Sequence, residues 1–290
     1  MSKKGVVMMN NLCMKYLIAV MCISLSLIAT QTVVYSTVLQ GGIGENTIRK
    51  PFCTVIDKQT RKPVPNAKIY IPSKNFTAYS DINGHFELRP EINGETILSI
   101  EKNNYKPFSI TLTKEANNQP FTAEIEVITP FDIMVDSTLC HLGDNNFSNA
   151  SANAGQFKGV AVGPIYSKSF FIEKTNSQQE HYLIIGSIVG IDTALARGMG
   201  QNNITTTFAS PPSVYLNGQK IAEIQINGDN QKIRLPKNLI KYNHKNIITI
   251  KAGRNLMQTA YVDYDDIEFM NLYVKTELSN YKTGHQVSYR

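Results

Sequence analysis

The chain has 290 residues, of which 42% are hydrophobic and 18% are charged, and its net charge is +6 at neutral pH. This composition is typical of a globular protein, so it excludes an intrinsically disordered chain and a protein with several membrane spans. The length is sufficient for two domains of ordinary size. No cluster of Lys and Arg interleaved with aromatic residues indicates nucleic-acid binding.

The N-terminus has the pattern of a secretory signal. Three lysines precede the apolar run 16–29, and no acidic residue occurs before Glu45. A basic segment followed by about 7–15 apolar residues is typical of a cleaved signal peptide. We therefore expect residues 1–36 to be a signal peptide, with an uncleaved N-terminal membrane anchor as the alternative. In either case the remainder is expected to be exported, to the periplasm, the cell surface or the exterior.

Removal of that segment lowers the net charge from +6 to +3, so half of the net positive charge comes from the lysines of the predicted signal peptide. Residues 37–50 are rich in glycine and polar side chains and are interpreted as a linker. Beyond them only Cys53 and Cys140 remain. In an oxidising compartment the two cysteines could pair, and two buried free thiols are the alternative.

Residues 51–129 alternate apolar and polar side chains between turn residues, which is typical of half-exposed β-strands. The predicted strands are 54–56, 67–71, 85–88, 96–100 and 123–127. In the turn 81–84, Asp81 can accept hydrogen bonds from the backbone, and Gly84 can adopt a positive φ.

Two motifs in this region resemble the carboxypeptidase regulatory-like domain, a transthyretin-like β-sandwich. They are 63–71 (PVPNAKIYI) and 81–86 (DINGHF), followed by a strand that leads to Tyr105. The chain departs from the family pattern at Asn104, where the family has glycine, and at Phe52-Cys53, where a glycine usually opens the first strand. Asn tolerates the left-handed conformation. The resemblance implies a spacer and folding support without the zinc ligands or catalytic glutamate of the peptidases.

Residues 131–276 are again strand-like, and Asn217-Gly218 predicts a tight hairpin turn, since Asn-Gly is the strongest short hairpin signal. The predicted strands are 168–173, 181–188, 214–216, 220–226, 232–235, 246–251 and 267–274. The segment 192–203 is interpreted as a loop between strands.

This second region resembles the galactose-binding-like jelly roll, a fold of many carbohydrate-binding modules. The resemblance rests on the hairpin 214–221, the closing strand 263–269 (DYDDIEF) and the opening segment 141–147, although a glycine of the family pattern is absent at 242–245. The predicted fold class is therefore all-β, with two tandem antiparallel β-sandwiches, the first small and transthyretin-like and the second larger and jelly-roll-like. A polar tail, 277–290, is expected to follow.

Four carboxylates crowd into residues 263–268. In a strand, Asp266 and Glu268 would lie on the same face. Two negative charges at such a short distance repel one another unless a cation neutralises them. Oxygen ligands of this kind suit calcium. The sequence therefore predicts a structural calcium site made of Asp144, Asp265, Asp266 and Glu268, with a solvated acidic edge as the alternative. No other cofactor is expected.

Sugar recognition commonly uses exposed aromatic side chains, but the chain contains no Trp. Among its 14 tyrosines, Tyr215, Tyr261 and Tyr264 are the candidate ligand-binding residues, and Tyr166 also lies in or near a predicted loop. The alternative for each is a tyrosine at the edge of the core with a satisfied hydroxyl group.

No nucleophile elbow, zinc helix or phosphate-binding loop motif occurs in the sequence, so no catalytic residue is predicted. The sequence favours an exported, non-enzymatic binding protein of the cell envelope or exterior that recognises carbohydrate through its second domain. One alternative is a structural or assembly subunit that binds another envelope protein. The other is a hydrolase whose site lies in the loop region 191–212. Membrane contact is expected only through an uncleaved N-terminal segment.

Overall fold

A computed structural model describes residues 52–147, 157, 159–174, 179–202 and 208–278. The predicted signal 1–36 and linker 37–50 lie outside these residues, as does most of the predicted tail. The described residues form strands β1 Phe52–Asp57, β2 Lys68–Ile71, β3 Phe76–Tyr79, β4 His85–Glu87, β5 Thr96–Glu101, β6 Phe108–Leu112, β7 Thr122–Ile125, β8 Ile133–Asp136, β9 Cys140–Leu142, β10 Ile165–Phe171, β11 Gln179–Val189, β12 Ser213–Leu216, β13 Gln219–Glu223, β14 Gly228–Leu235, β15 Lys245–Lys251 and β16 Ile267–Leu278. A short α-helix, α1, spans Ala194–Gly198.

Strands β1 to β7 form the first sandwich. One sheet has the order β4-β1-β7 and the other the order β3-β2-β5-β6. Strand β1 runs parallel to β7, whereas the remaining strand pairs in the described residues are antiparallel. Between the sheets lies an aliphatic core that includes Val55, Ile69, Ile71, Leu98 and Ile125. The alternating pattern buries these residues because successive side chains of a strand point to opposite faces.

Strands β8 to β16 form the second, larger sandwich. One sheet has the order β14-β11-β16-β8, with β9 also paired to β16, and the other has the order β10-β15-β12-β13. A separate core fills the space between these sheets and includes Leu183, Ile185, Ile248, Ile250 and Phe269. The protein is thus all-β with two sandwiches, as the sequence predicted.

Both predicted turns form as expected. Asp81 Oδ1 accepts hydrogen bonds from the backbone N–H of Asn83 and of His85, each at 2.8 Å. Gly84 has a φ of +75°, and a Cβ there would collide with the carbonyl oxygen of Val55. In the β12–β13 hairpin, Asn217 and Gly218 have φ values of +52° and +87°. Positive φ at both central positions is what a type I′ hairpin turn requires.

The two sandwiches pack directly on each other through β5 and β6 of the first and β11 and β16 of the second. A small apolar cluster joins Ile97 to Val189 and Met270. Beside it, Asn271 Nδ2 donates a hydrogen bond to Ser99 Oγ over 3.1 Å. All of Thr96–Ile100 is consequently buried, whereas the sequence predicted a half-exposed strand. The outer face of β5 is covered because the second sandwich lies on it.

Several sequence-based boundaries need correction. The segment predicted as a loop at 192–203 contains helix α1, which Thr193 caps by accepting a hydrogen bond from the N–H of Ala196. The five-residue helix is too short to give a recognisable helical period. Strand β16 continues to Leu278, into the predicted polar tail. No helix in the described residues has the length and apolar character needed to cross a membrane.

Candidate functional site

A cleft with a volume of about 680 Å³ lies where the two sandwiches meet. The segment after β2, the loop before β5 and the segment after β6 contribute one wall. The residues just after β11 and α1 and the start of β16 contribute the other. The lining is mostly polar. It consists of Ser73, Lys74, Asn93, Gly94, Glu95, Thr96, Thr113, Lys114, Glu115, Phe157, Gly190, Gly200, Gln201, Asn202 and Glu268.

Glu268 is the most deeply buried charged side chain of this lining, with only 3% of its surface exposed. It lies in β16 opposite His141 of β9. Its Oε1 has no hydrogen-bond partner in the described part of the chain. Burial raises the pKa of Glu268 to about 7, and the neighbouring His141 opposes that rise. A carboxyl group that is buried without a partner carries a large desolvation cost, which a ligand donor would relieve.

His141 lies next to Glu268 and already uses both ring nitrogens. Nδ1 lies 2.7 Å from the carbonyl oxygen of Gly159, and Nε2 lies 2.9 Å from Asp266 Oδ1. A carbonyl oxygen can only accept, so Nδ1 carries a proton. Burial alone would lower the pKa of His141, but the hydrogen bonds to Asp266 and Gly159 outweigh it and raise that pKa. The ring also packs against Phe157 at 5.1 Å between ring centroids.

The acidic segment predicted from sequence is not a solvated edge. Asp263, Asp265, Asp266 and Glu268 are each at most 3% exposed, so that alternative is wrong. Ile267 and Phe269 point into the core as expected, while Asp266 and Glu268 both face His141. The loop after β9 covers the segment, since Asn145 N–H donates to Asp266 and Asn146 Nδ2 donates to Asp263.

The four predicted calcium ligands lie near one another but point in different directions. Asp144 accepts hydrogen bonds from the N–H groups of Asn146 and Tyr264, at 3.0 and 2.8 Å. Asp266 accepts from Asn145 N–H as well as from His141. Donors thus occupy both carboxylate oxygens of Asp144 and Oδ1 of Asp266. Among the residues described, no group of three or more His, Cys, Asp or Glu side chains could hold a metal ion. Calcium at this position stays a prediction.

Asp265 faces away from His141, toward the segment that leads into α1. Its Oδ2 accepts a hydrogen bond from Asp192 N–H over 3.2 Å. Complete burial raises the pKa of Asp265 well above its usual range, despite that hydrogen bond. On the same segment, Arg197 lies 3.8 Å from Asp192 and 3.9 Å from the ring centroid of Phe208. These contacts fix α1, and through it Gln201 and Asn202, at the cleft.

The tyrosines predicted to bind ligand lie elsewhere. Tyr215, on β12, contacts Lys251, whose Nζ is 4.6 Å from the ring centroid. Tyr261 and Tyr264 belong to the loop between β15 and β16, and Tyr261 Oη accepts a 3.4 Å hydrogen bond from Asn146. None of these tyrosines is among the residues that line the cleft in the described structure. Tyr166 is buried and donates to Asp136 over 2.8 Å, which agrees with the core-edge alternative.

Cys53 and Cys140 are free and buried, so the structure shows two thiols rather than a disulfide. Burial raises the pKa of both, that of Cys140 to about 12. They belong to separate cores, Cys53 in the first sandwich and Cys140 in the second. The separation explains why they do not meet.

The fold of strands β1 to β7 and the turn at Asp81 agree with one known family. Residues 53–128 match the family model of the CarboxypepD_reg-like domain. The match supports the resemblance inferred from the motifs at 63–71 and 81–86. The CarboxypepD_reg-like domain supplies the cleft wall that contains Glu95 and Thr96. No curated protein matches the chain. The galactose-binding-like assignment of the second sandwich stays a prediction.

The cleft itself was missed in the sequence interpretation. Its walls come from residues that lie far apart in the chain, such as Asn93, Asn202 and Glu268. The crowding of carboxylates before β16 was the one signal that pointed to this region. It identified Glu268 but assigned it to a cation rather than to a cleft.

Proposed function

We propose that this protein is an exported, non-enzymatic binding protein of the cell envelope or exterior, and that a carbohydrate binds in the cleft between its two sandwiches. The observation that carries this proposal is the polar lining of the cleft, to which both sandwiches contribute. The site therefore differs from the tyrosine site expected in the second domain alone.

The size and chemistry of the cleft support a sugar ligand. Binding sites for small molecules have volumes of about 300–1,000 Å³, and this cleft measures about 680 Å³. Its amide and hydroxyl groups, among them Asn93, Thr96 and Asn202, can donate to and accept from sugar hydroxyl groups. Phe157 adds an apolar ring to the same lining. Aromatic faces beside a few polar groups suit the apolar face of a pyranose ring.

Export is supported by the basic and apolar pattern of residues 1–36. In an envelope or extracellular setting, glycans are abundant ligands. The CarboxypepD_reg-like domain would then do more than act as a spacer, since it forms one wall of the site.

A glycan array followed by calorimetry on the chain from residue 37 onward tests this proposal. Gly94 lines the cleft, and a Cβ there would meet nothing within 4 Å. Gly94→Trp should therefore fill the cleft and abolish binding, whereas Gly94→Ala should bind as the unmodified chain does. Absence of glycan binding would disprove the function, and unchanged binding by Gly94→Trp would disprove the site.

A second candidate, an assembly subunit that binds another envelope protein, is favoured by a group of exposed apolar side chains. They lie in the loop before β10 and the loop between β15 and β16, each more than half exposed: Val160, Val162, Leu256, Met257, Tyr261 and Val262. Exposed apolar side chains that form a contiguous patch mark interaction sites. A Leu256→Asp, Met257→Ser double variant should lose a partner identified by cross-linking in envelope preparations. The double variant should keep glycan binding if the cleft is the sugar site.

The hydrolase alternative stays a prediction. The loop region 191–212 contributes Gln201 and Asn202 to the cleft, so a hydrolytic site would occupy the same place. Each glycan that the array identifies can be tested for cleavage by the protein, which would distinguish binding from turnover.

A further inference from the structure

We propose that the Glu268 end of the cleft binds the ammonium group of an amino sugar. The proposal rests on the carbohydrate function above and specifies which class of carbohydrate the cleft takes.

The first reason is the state of the Glu268 carboxyl group. The side chain is 97% buried, since only 3% of its surface is exposed, and it forms part of the cleft lining. Its Oε1 has no hydrogen-bond partner within the residues that the structure describes. Buried polar atoms in folded proteins nearly always have a partner, and we assign the missing donor of Glu268 to the ligand because this side chain lines the cleft.

The second reason is that a neighbouring buried donor, His141, already has other partners. His141 lies opposite Glu268 on the neighbouring strand. Its two ring nitrogens are bound to Gly159 and to Asp266. Neither nitrogen is available to Glu268, although the charge of the His141 ring lowers the pKa of Glu268.

The third reason is the distribution of charge in the cleft. Glu95, half-buried in the opposite wall, is a second acidic group, and its pKa is raised by burial and by the nearby charge of Asp229. Of the lining lysines, Lys114 is exposed and Lys74 is half-buried, and a third acidic group, Glu115, is exposed. The lining therefore carries three carboxyl groups against two ammonium groups, and its most buried charged side chain is that of Glu268, so it favours a cationic ligand group.

An ammonium group satisfies these three conditions better than a hydroxyl group. It brings a positive charge and three donors, and hydrogen bonds between charged partners are about twice as strong as neutral ones. The amide and hydroxyl groups elsewhere in the lining suit the sugar hydroxyls. A sugar with a free amino group, such as glucosamine or its β-linked oligomers, combines both.

Calorimetry on the chain from residue 37 onward with three oligosaccharides of equal length tests the proposal. The three are glucosamine oligomers, their N-acetylated forms and neutral glucose oligomers. We expect glucosamine oligomers to bind about tenfold more tightly than the other two, because acetylation removes the charge and replaces donors. Glu268→Gln should reduce this preference to about onefold to twofold, because the amide carries no charge that could pair with an ammonium group. Glu91→Gln, an exposed carboxylate outside the cleft, is the control that should keep the preference.

Equal affinity of the unmodified chain for all three oligomers would overturn the amine assignment and leave the carbohydrate function standing. A preference that survives in Glu268→Gln would also overturn it. Failure of every sugar to bind would overturn the carbohydrate function and the amine assignment together. The comparison of sugars on the unmodified chain decides the matter even where the Glu268 variant folds poorly.

Discussion

Thr111 of the first sandwich donates both its backbone N–H and its hydroxyl group to Asp229 of the second, at 3.0 and 2.8 Å from Oδ1. The same oxygen accepts a 2.7 Å hydrogen bond from the fully buried Ser187. One carboxylate therefore joins the two sandwiches and satisfies a buried hydroxyl group.

We expect Asp229→Ala to lower the free energy of unfolding by about 1–2 kcal/mol, because it removes these hydrogen bonds and leaves Ser187 unsatisfied. Urea unfolding followed by circular dichroism measures the change. Glu223→Ala, which removes an exposed ion pair with Lys220, is the control and should cost less than about 0.5 kcal/mol. Equal stability of both variants would show that Asp229 does not hold the sandwiches together.

Two glycines near turns of the first sandwich should respond differently to substitution. Gly84→Ala combines a positive φ with a collision against the Val55 carbonyl, so it should destabilise the protein by about 2 kcal/mol or more. Gly94→Ala meets open space and should change stability by less than about 0.5 kcal/mol. Thermal unfolding of the two variants makes the comparison, and similar melting temperatures would contradict the turn geometry.

Asp136 should make stability depend on pH in the acid range. Burial raises its pKa, but the hydrogen bonds from Lys168, Thr138 and Tyr166 outweigh burial and lower it from 3.8 to about 2. Because the pKa is lower in the folded state, the stabilisation is present above pH 3.8 and is lost as the pH falls toward about 2. The difference amounts to about 2 kcal/mol.

Asp136→Asn should therefore be less stable than the unmodified chain at neutral pH, and the gap should close between pH 4 and about pH 2. Urea unfolding at a series of pH values measures this. A constant gap across the series would show that the Asp136 charge is not responsible.

The two thiols should be unreactive in the folded protein. Both Cys53 and Cys140 are buried with raised pKa values, and the thiolate is the reactive form. A thiol reagent added to the chain from residue 37 onward should modify neither until denaturant is added, and then both, as mass spectrometry would show. A mass lower by two hydrogens under non-reducing conditions would instead reveal a disulfide.

The sequence predicts the sheets well because their signals are local. The strand signal at 96–100 and the Asn217-Gly218 turn depend on residues a few positions apart, and the structure contains a strand and a hairpin turn at these positions. The packing of the second sandwich on the outer face of β5 could not be predicted in the same way. Its outer residues, Ile97 and Ser99, are compatible with solvent, and only contact with Met270 and Asn271 buries them.

The site is harder to predict because its contacts join distant residues. His141 and Asp266 are 125 positions apart, and nothing in either local segment indicates that they pair. The carboxylates at 263–268 are visible in the sequence, but charge repulsion alone suggests either solvent or a metal ion. In the structure, loop N–H groups such as that of Asn145 stabilise these carboxylates by hydrogen bonds. These bonds depend on the position of the backbone, which the pattern of side chains does not predict.

Neither face of strand β5 is exposed to solvent. One face packs into the core of the CarboxypepD_reg-like domain, and the other packs against the second sandwich. A domain excised after residue 128 would present Ile97 and the serines beside it to solvent. Such a fragment should be prone to association, and transplanting it into another protein would require a host with a matching surface. For this reason the two halves should melt together in a single calorimetric transition.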